Sequence, residues 1–126
     1  IERLKLTPKN GGTRKVWADT NLQINAYKKK NSNVSFSDTY GRMSWNKPAP
    51  TITTKFFSIS NGRFVHPEEN RAISIREGAT LQTFPKTYKF IGNSVASIAR
   101  MIGNAVPPIY AKQIGHTIIK NHASRK

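Results

Sequence analysis

The stretch Arg71–Pro85, RAISIREGATLQTFP, has a start and a stop built into it. Ser74 and Glu77 stand at capping-box spacing. A hydroxyl there can accept the amide three residues on, and the carboxylate can reach back to the amide of the capping residue. Pro85 closes the stretch, because it has no N–H and disfavours helix in the residue before it. These signals predict one short helix over about 75–83, with Leu81 and Phe84, three apart, turned to the core. Whatever else the chain does, it folds around this strut.

The strut lies in a very basic chain. The 126 residues carry 21 Lys+Arg against 6 Asp+Glu, a formal charge of +15. Such a charge calls for a polyanion, and nucleic acid is the first candidate; the other reading is a solvated basic surface that serves solubility alone. The charge is uneven. Residues 86–126 hold seven Lys/Arg and no Asp or Glu, whereas residues 66–85, which contain the helix, are near neutral. The length suits one domain with a modest core. There is no cysteine, which excludes disulfides and Cys-ligated zinc and fits a reducing compartment. No apolar run is long enough to span a membrane. The chain starts on Ile1 with no signal-peptide pattern, so it is expected to be cut from something longer.

Before the helix, Thr7–Trp17 is broken by Pro8, Asn10, Gly11 and Gly12. NLQINAY (21–27) alternates apolar and polar residues as a half-buried strand does. Lys28–Lys30 open a basic loop that would contact phosphate, and VSFSD (34–38) reads as a second short strand. Thr51–Ile59, β-branched and aromatic, reads as a third strand, closed by a turn at Ser60–Gly62. After Pro85 the pattern is helical. Val95, Ile98 and Ile102 define one helix, Gly103–Asn104 interrupt it, and Pro107–Pro108 open another over about 107–121, weakened by Gly115. The fold class that follows is α+β: a β-rich, irregular first half with one capped helix, then C-terminal helices.

Chemistry is scarce. His66, His116 and His122 lie far apart without metal-ligand spacing, so no metal site is predicted. Glu68 and Glu69 are adjacent, which points them apart rather than into an acid–base pair. No nucleophile elbow and no phosphate-cradling glycine loop is present. The residues by themselves give a nucleic-acid-binding module.

Four blocks in order add to that reading. RAISIREGATLQTFP followed by MIGNAVPP resembles the last two motifs of the bacterial DNA (cytosine-5) methyltransferases. GRMSWNKPAPTITT (Gly41–Thr54) resembles the end of their target-recognition region, and TPKNGGTRK its opening. The chain departs from the pattern at Gly78, where the family usually has Ala, and at Thr80, where it usually has Arg. It also lacks the upstream glycine-rich cofactor loop, the Pro-Cys nucleophile and the ENV motif. In that family a thiolate adds to carbon 6 of cytosine to make carbon 5 nucleophilic. A chain without cysteine has no catalytic residue for this step. The resemblance therefore implies the C-terminal part of such an enzyme, or one subunit of a split one, inactive alone.

The resemblance implies a division into residues 1–88, a small target-recognition domain, and residues 89–126, a helical segment that docks on a missing Rossmann-like catalytic domain and completes its cofactor pocket. Asn104, Ala105 and Val106 would line the S-adenosyl-L-methionine site, which is not expected to bind the cofactor in this chain alone. Arg42, Thr51, Ile52, Thr53, Lys55 and Arg63 would meet double-stranded DNA in the major groove. Ser74, Arg76 and Glu77 would organise the domain. The setting implied is a restriction-modification system in the bacterial cytoplasm, on the nucleoid. The competing reading is a self-sufficient basic nucleic-acid-binding domain. The two differ over residues 89–126: a self-sufficient domain buries their apolar face on itself, and a fragment leaves it open or pairs it with a second copy. The DNA target sequence is not legible, because recognition loops are idiosyncratic.

Overall fold

The computed structural model describes residues 1–27 and 38–124. Among the described residues four α-helices punctuate long irregular segments: α1 (Glu2–Leu6), α2 (Ile75–Leu81), α3 (Val95–Asn104) and α4 (Pro108–Ala123). Three single 3-10 turns, Arg14–Trp17, Asn25–Tyr27 and Ile59–Asn61, lie between α1 and α2.

Helix α2 starts as its sequence dictates. Ser74 Oγ accepts the Glu77 amide at 3.2 Å, and Glu77 Oε2 accepts the Ser74 amide at 2.6 Å. Both halves of the capping box are formed. The helix ends at Leu81, and Thr83 takes a left-handed φ of 65° that turns the chain away. Its buried face runs through Ile75, Gly78, Ala79 and Gln82, at helical spacing. Leu81 is exposed, contrary to expectation, while Phe84 packs against the edge of the core. The apolar spacing at 81 and 84 misleads because the small residues 78 and 79 let a neighbour come closer than Leu81 would. That neighbour is Phe56: a Cβ at Gly78 would lie 2.5 Å from its ring Cζ.

The β-rich first half is not observed. Among the described residues there is no strand, only isolated bridges of Val65 to Arg42 and to Ala72. The α+β expectation is corrected accordingly: regular structure in the described residues is helical. The reason is local. Residues 53–58 coil through successive turns, with Phe56 N donating to Thr53 O and Ser58 N to Lys55 O, which spends amides a ladder would need. Residues 21–27 do the same, Gln23 N donating to Thr20 O and Tyr27 N to Ile24 O. Around Val65 a ladder begins, with Met43 N donating to Val65 O and Ile73 N to Phe64 O. Pro67, Pro48 and Pro50, which carry no N–H, flank it. The strand expected at 34–38 and the Lys28–Lys30 loop fall outside the described residues, apart from Asp38.

One core gathers residues from both halves of the sequence: Met43, Ile52, Phe56, Phe64 and Ile73 with Ala79, Ala99 and Ile102. Helix α3 thus packs on α2 through its Ala99–Ile102 face. It continues through Gly103 and Asn104 instead of breaking there. Gly103 is the close-approach residue, since a Cβ would lie 2.5 Å from the Thr53 carbonyl carbon and the Thr54 nitrogen. Helix α4 buries no residue, and Tyr110, Ile114 and Ile118, spaced by four, form an exposed face beside Ile109 and Ile119.

Candidate nucleic-acid interface and cofactor segment

Arg42 is the centre of a buried clip. It is 1% exposed. Its Nε donates to Thr7 O (3.1 Å), Nη1 to His66 O (2.9 Å) and Glu69 O (2.6 Å), and Nη2 to Leu4 O (2.7 Å) and to Asn70 Oδ1. Burial pushes the guanidinium pKa down, and the Glu68 charge opposes this; such a group stays ionised all the same. All five contacts are internal, so the structure places Arg42 inside the domain, joining the N-terminal segment to the 66–70 loop. Trp17 reinforces that seam, donating from Nε1 to Arg3 O (2.9 Å) and Thr7 Oγ1 (3.1 Å).

The Thr51–Lys55 segment divides by side. Thr51, Thr53 and Lys55 are exposed. Ile52, at 6% exposed, fills the core and has no face left for a base. Arg63 is half-buried, and its Nε has no hydrogen-bond partner among the described residues.

Arg71, unremarked in the sequence, organises the start of α2. It makes a bidentate pair with Glu77 (2.7 and 2.9 Å) and a second with Glu69 (2.8 and 3.2 Å). Hydrogen bonding from Arg71 is the main cause that holds the Glu77 carboxyl down at about 2, against partial burial. The same pairs raise the Arg71 pKa. His66 sits alongside, its Nδ1 accepting the Glu68 and Glu69 amides at 3.1 and 3.0 Å and its Nε2 3.7 Å from Glu77 Oε1. No local spacing links residues 66, 71 and 77, so only the fold reveals the cluster. Arg76 reaches the other way, donating to Tyr88 O at 2.9 Å beside the Phe90 ring.

Asn104, Ala105 and Val106 form the link out of α3. Gln82, buried at the end of α2, donates from Nε2 to Ile102 O (3.1 Å) and Ala105 O (3.5 Å). Thr83 Oγ1 accepts the Ile109 amide at 3.2 Å. Asn104 is exposed, and its carboxamide bonds to nothing among the described residues. Val106 is 59% exposed. A groove of about 510 Å³ runs beside this link, lined by Phe84, Tyr88, Phe90, Met101, Ala105 and Val106.

Residues 2–120 match the sequence model of the C-5 cytosine-specific DNA methylases. The chain belongs to this family. The type II methylase M.HgiDII of Herpetosiphon aurantiacus is 47% identical over 112 residues, 86% of this chain and 31% of that protein. The type II methyltransferase M1.BsuMI of Bacillus subtilis is 45% identical over 58% of the chain and 17% of its own length. The mouse DNA (cytosine-5)-methyltransferase 1 is 41% identical over 68% of the chain and 5% of its own length. The chain thus spans under a third of each of these relatives. Membership accounts for the paired blocks around Gln82 and Asn104, which the fold brings into contact.

Proposed function

We propose that this chain is the target-reading and cofactor-completing part of a DNA cytosine-5 methyltransferase of a bacterial restriction-modification system, at work on the nucleoid in the cytoplasm. The observation that carries the reading is a juxtaposition. Thr53–Thr54, next to the outward-facing Thr51 and Lys55, lie directly against Gly103, and Gly103 precedes Asn104 with its unbonded side-chain carboxamide. One face meets DNA while the segment behind it meets the cofactor. Thr51, Thr53, Lys55 and Arg63 are the DNA contacts on this reading; Arg42 and Ile52 support them from within.

S-adenosyl-L-methionine would supply the electrophilic methyl group. The residues here fit one wall of its site: a free carboxamide at Asn104, the 105–106 backbone and the apolar Val106 side chain. The thiolate, the glycine-rich loop and the rest of the pocket belong to another part of the enzyme, since this chain has no cysteine. The exposed α4 face, with Ile118 63% and Ile119 69% exposed, favours such a partner over a self-sufficient domain.

The test is the salt dependence of duplex binding, read by fluorescence anisotropy. Log affinity should fall with log salt by about 0.9 per phosphate contacted. Lys55→Ala should reduce that slope by about 1. Affinity that ignored salt between low and physiological strength would contradict the reading.

A further inference from the structure

Gln82 is a buried polar side chain that the DNA-reading role does not use. We propose that it is a positioning residue for the cofactor segment: it holds the turn after α3 so that Asn104 faces outward with its carboxamide free. This rests on the cofactor role given above to residues 104–106.

A helix leaves its last carbonyls unsatisfied, and a left-handed Gly or Asn commonly closes the end. Helix α3 does not end that way. Gly103 and Asn104 are still helical, and Ala105 leaves in an extended conformation (φ −75°, ψ 144°). The Ala105 amide turns back to Ile102 O at 3.2 Å, and Gln82 Nε2 adds a buried side-chain donor to Ile102 O and to Ala105 O, on either side of residues 103 and 104. The next residue completes the clamp. Thr83, turned by its positive φ, offers Oγ1 to the Ile109 amide in the first turn of α4, where Pro107 provides no side-chain cap. Residues 82 and 83 therefore hold both helix ends that bracket the link. Gly103 seats the same link against the Thr53–Thr54 backbone. The link is fixed on these sides, and Asn104 is presented from it.

The experiment uses the complete methyltransferase that contains this segment, with calorimetric titration of S-adenosyl-L-methionine and anisotropy titration of cofactor-free duplex DNA. Gln82→Leu removes the donors and keeps the bulk. It should weaken cofactor binding about tenfold, the measure of a hydrogen-bonded turn lost, and leave DNA affinity within about twofold. A purely structural role would move both affinities together, or neither. If Gln82→Leu binds cofactor like the wild type while Asn104→Ala does not, the positioning role is overturned and the cofactor reading stands. If Asn104→Ala also binds like the wild type, the cofactor reading falls, and the proposal with it. If Gln82→Leu does not fold, Thr83→Val decides. Its hydroxyl serves only the α4 end, and about threefold weaker cofactor binding is expected; unchanged binding overturns the proposal.

Discussion

Gly78 carries opposite expectations at two levels of description. Helix propensity alone makes Gly78→Ala a gain of about 0.8–1 kcal/mol. The packing reverses the sign. The new Cβ would lie 2.5 Å from Phe56 Cζ, and Phe56 is fully buried. Overpacking a closed core costs about 1–3 kcal/mol, so Gly78→Ala should lower the denaturant midpoint, and Phe56→Leu in the same chain should recover part of the loss. A raised midpoint in the single variant would show that the ring moves aside freely. Arg42 carries the same lesson. A basic residue in a +15 chain reads as a phosphate contact, and nothing in the sequence announces five internal acceptors. Its role depends on carbonyls brought together from residues 4, 7, 66 and 69, which no local pattern records.

Helix α2 was legible because its determinants are local: the Ser74–Glu77 box and Pro85 act within one or two turns. The strand expected at 21–27 rests on apolar alternation and the one at 51–59 on β-branched and aromatic residues, and both signals fit equally a segment whose inward residues pack while its amides close turns. Ile52 and Phe56 do point inward, but the backbone between them coils. The motif that contains Asn104–Val106 is visible in the sequence, whereas the Gln82–Thr83 clamp on the same link lies 20 residues or more away and emerges only from the fold. The capping carboxylate gives α2 a pH signature. The folded Glu77 pKa is about 2, below its usual 4.5. A depressed folded pKa contributes stability that is fully present above the unfolded value and lost as pH falls through the folded one. The stability difference between wild type and Glu77→Gln should therefore be constant above about pH 5 and shrink between about pH 4.5 and 2. A difference unchanged down to pH 2 would mean that the Arg71–Glu77 pair does not form in solution.

At the scale of the molecule, Glu69 and Glu77 are paired with Arg71 and Glu68 with Lys9, and residues 86–124 carry positive charge without any acid. Core packing joins α3 to α2, while α4 keeps an apolar face open. That combination is what the proposed role requires: one side for DNA and an apolar α4 face for other protein. The central claim is that Asn104 works as one wall of a cofactor site completed elsewhere in the enzyme. Calorimetric titration of S-adenosyl-L-methionine into this chain alone, into the complete enzyme and into its Asn104→Ala variant tests that most directly. The account predicts no measurable binding to the chain alone, because one or two hydrogen bonds of about 0.5–1.5 kcal/mol cannot offset the cost of association. It predicts binding to the complete enzyme, weakened about tenfold by Asn104→Ala. Tight binding to the chain alone, or equal affinity for wild-type and variant enzymes, would contradict it.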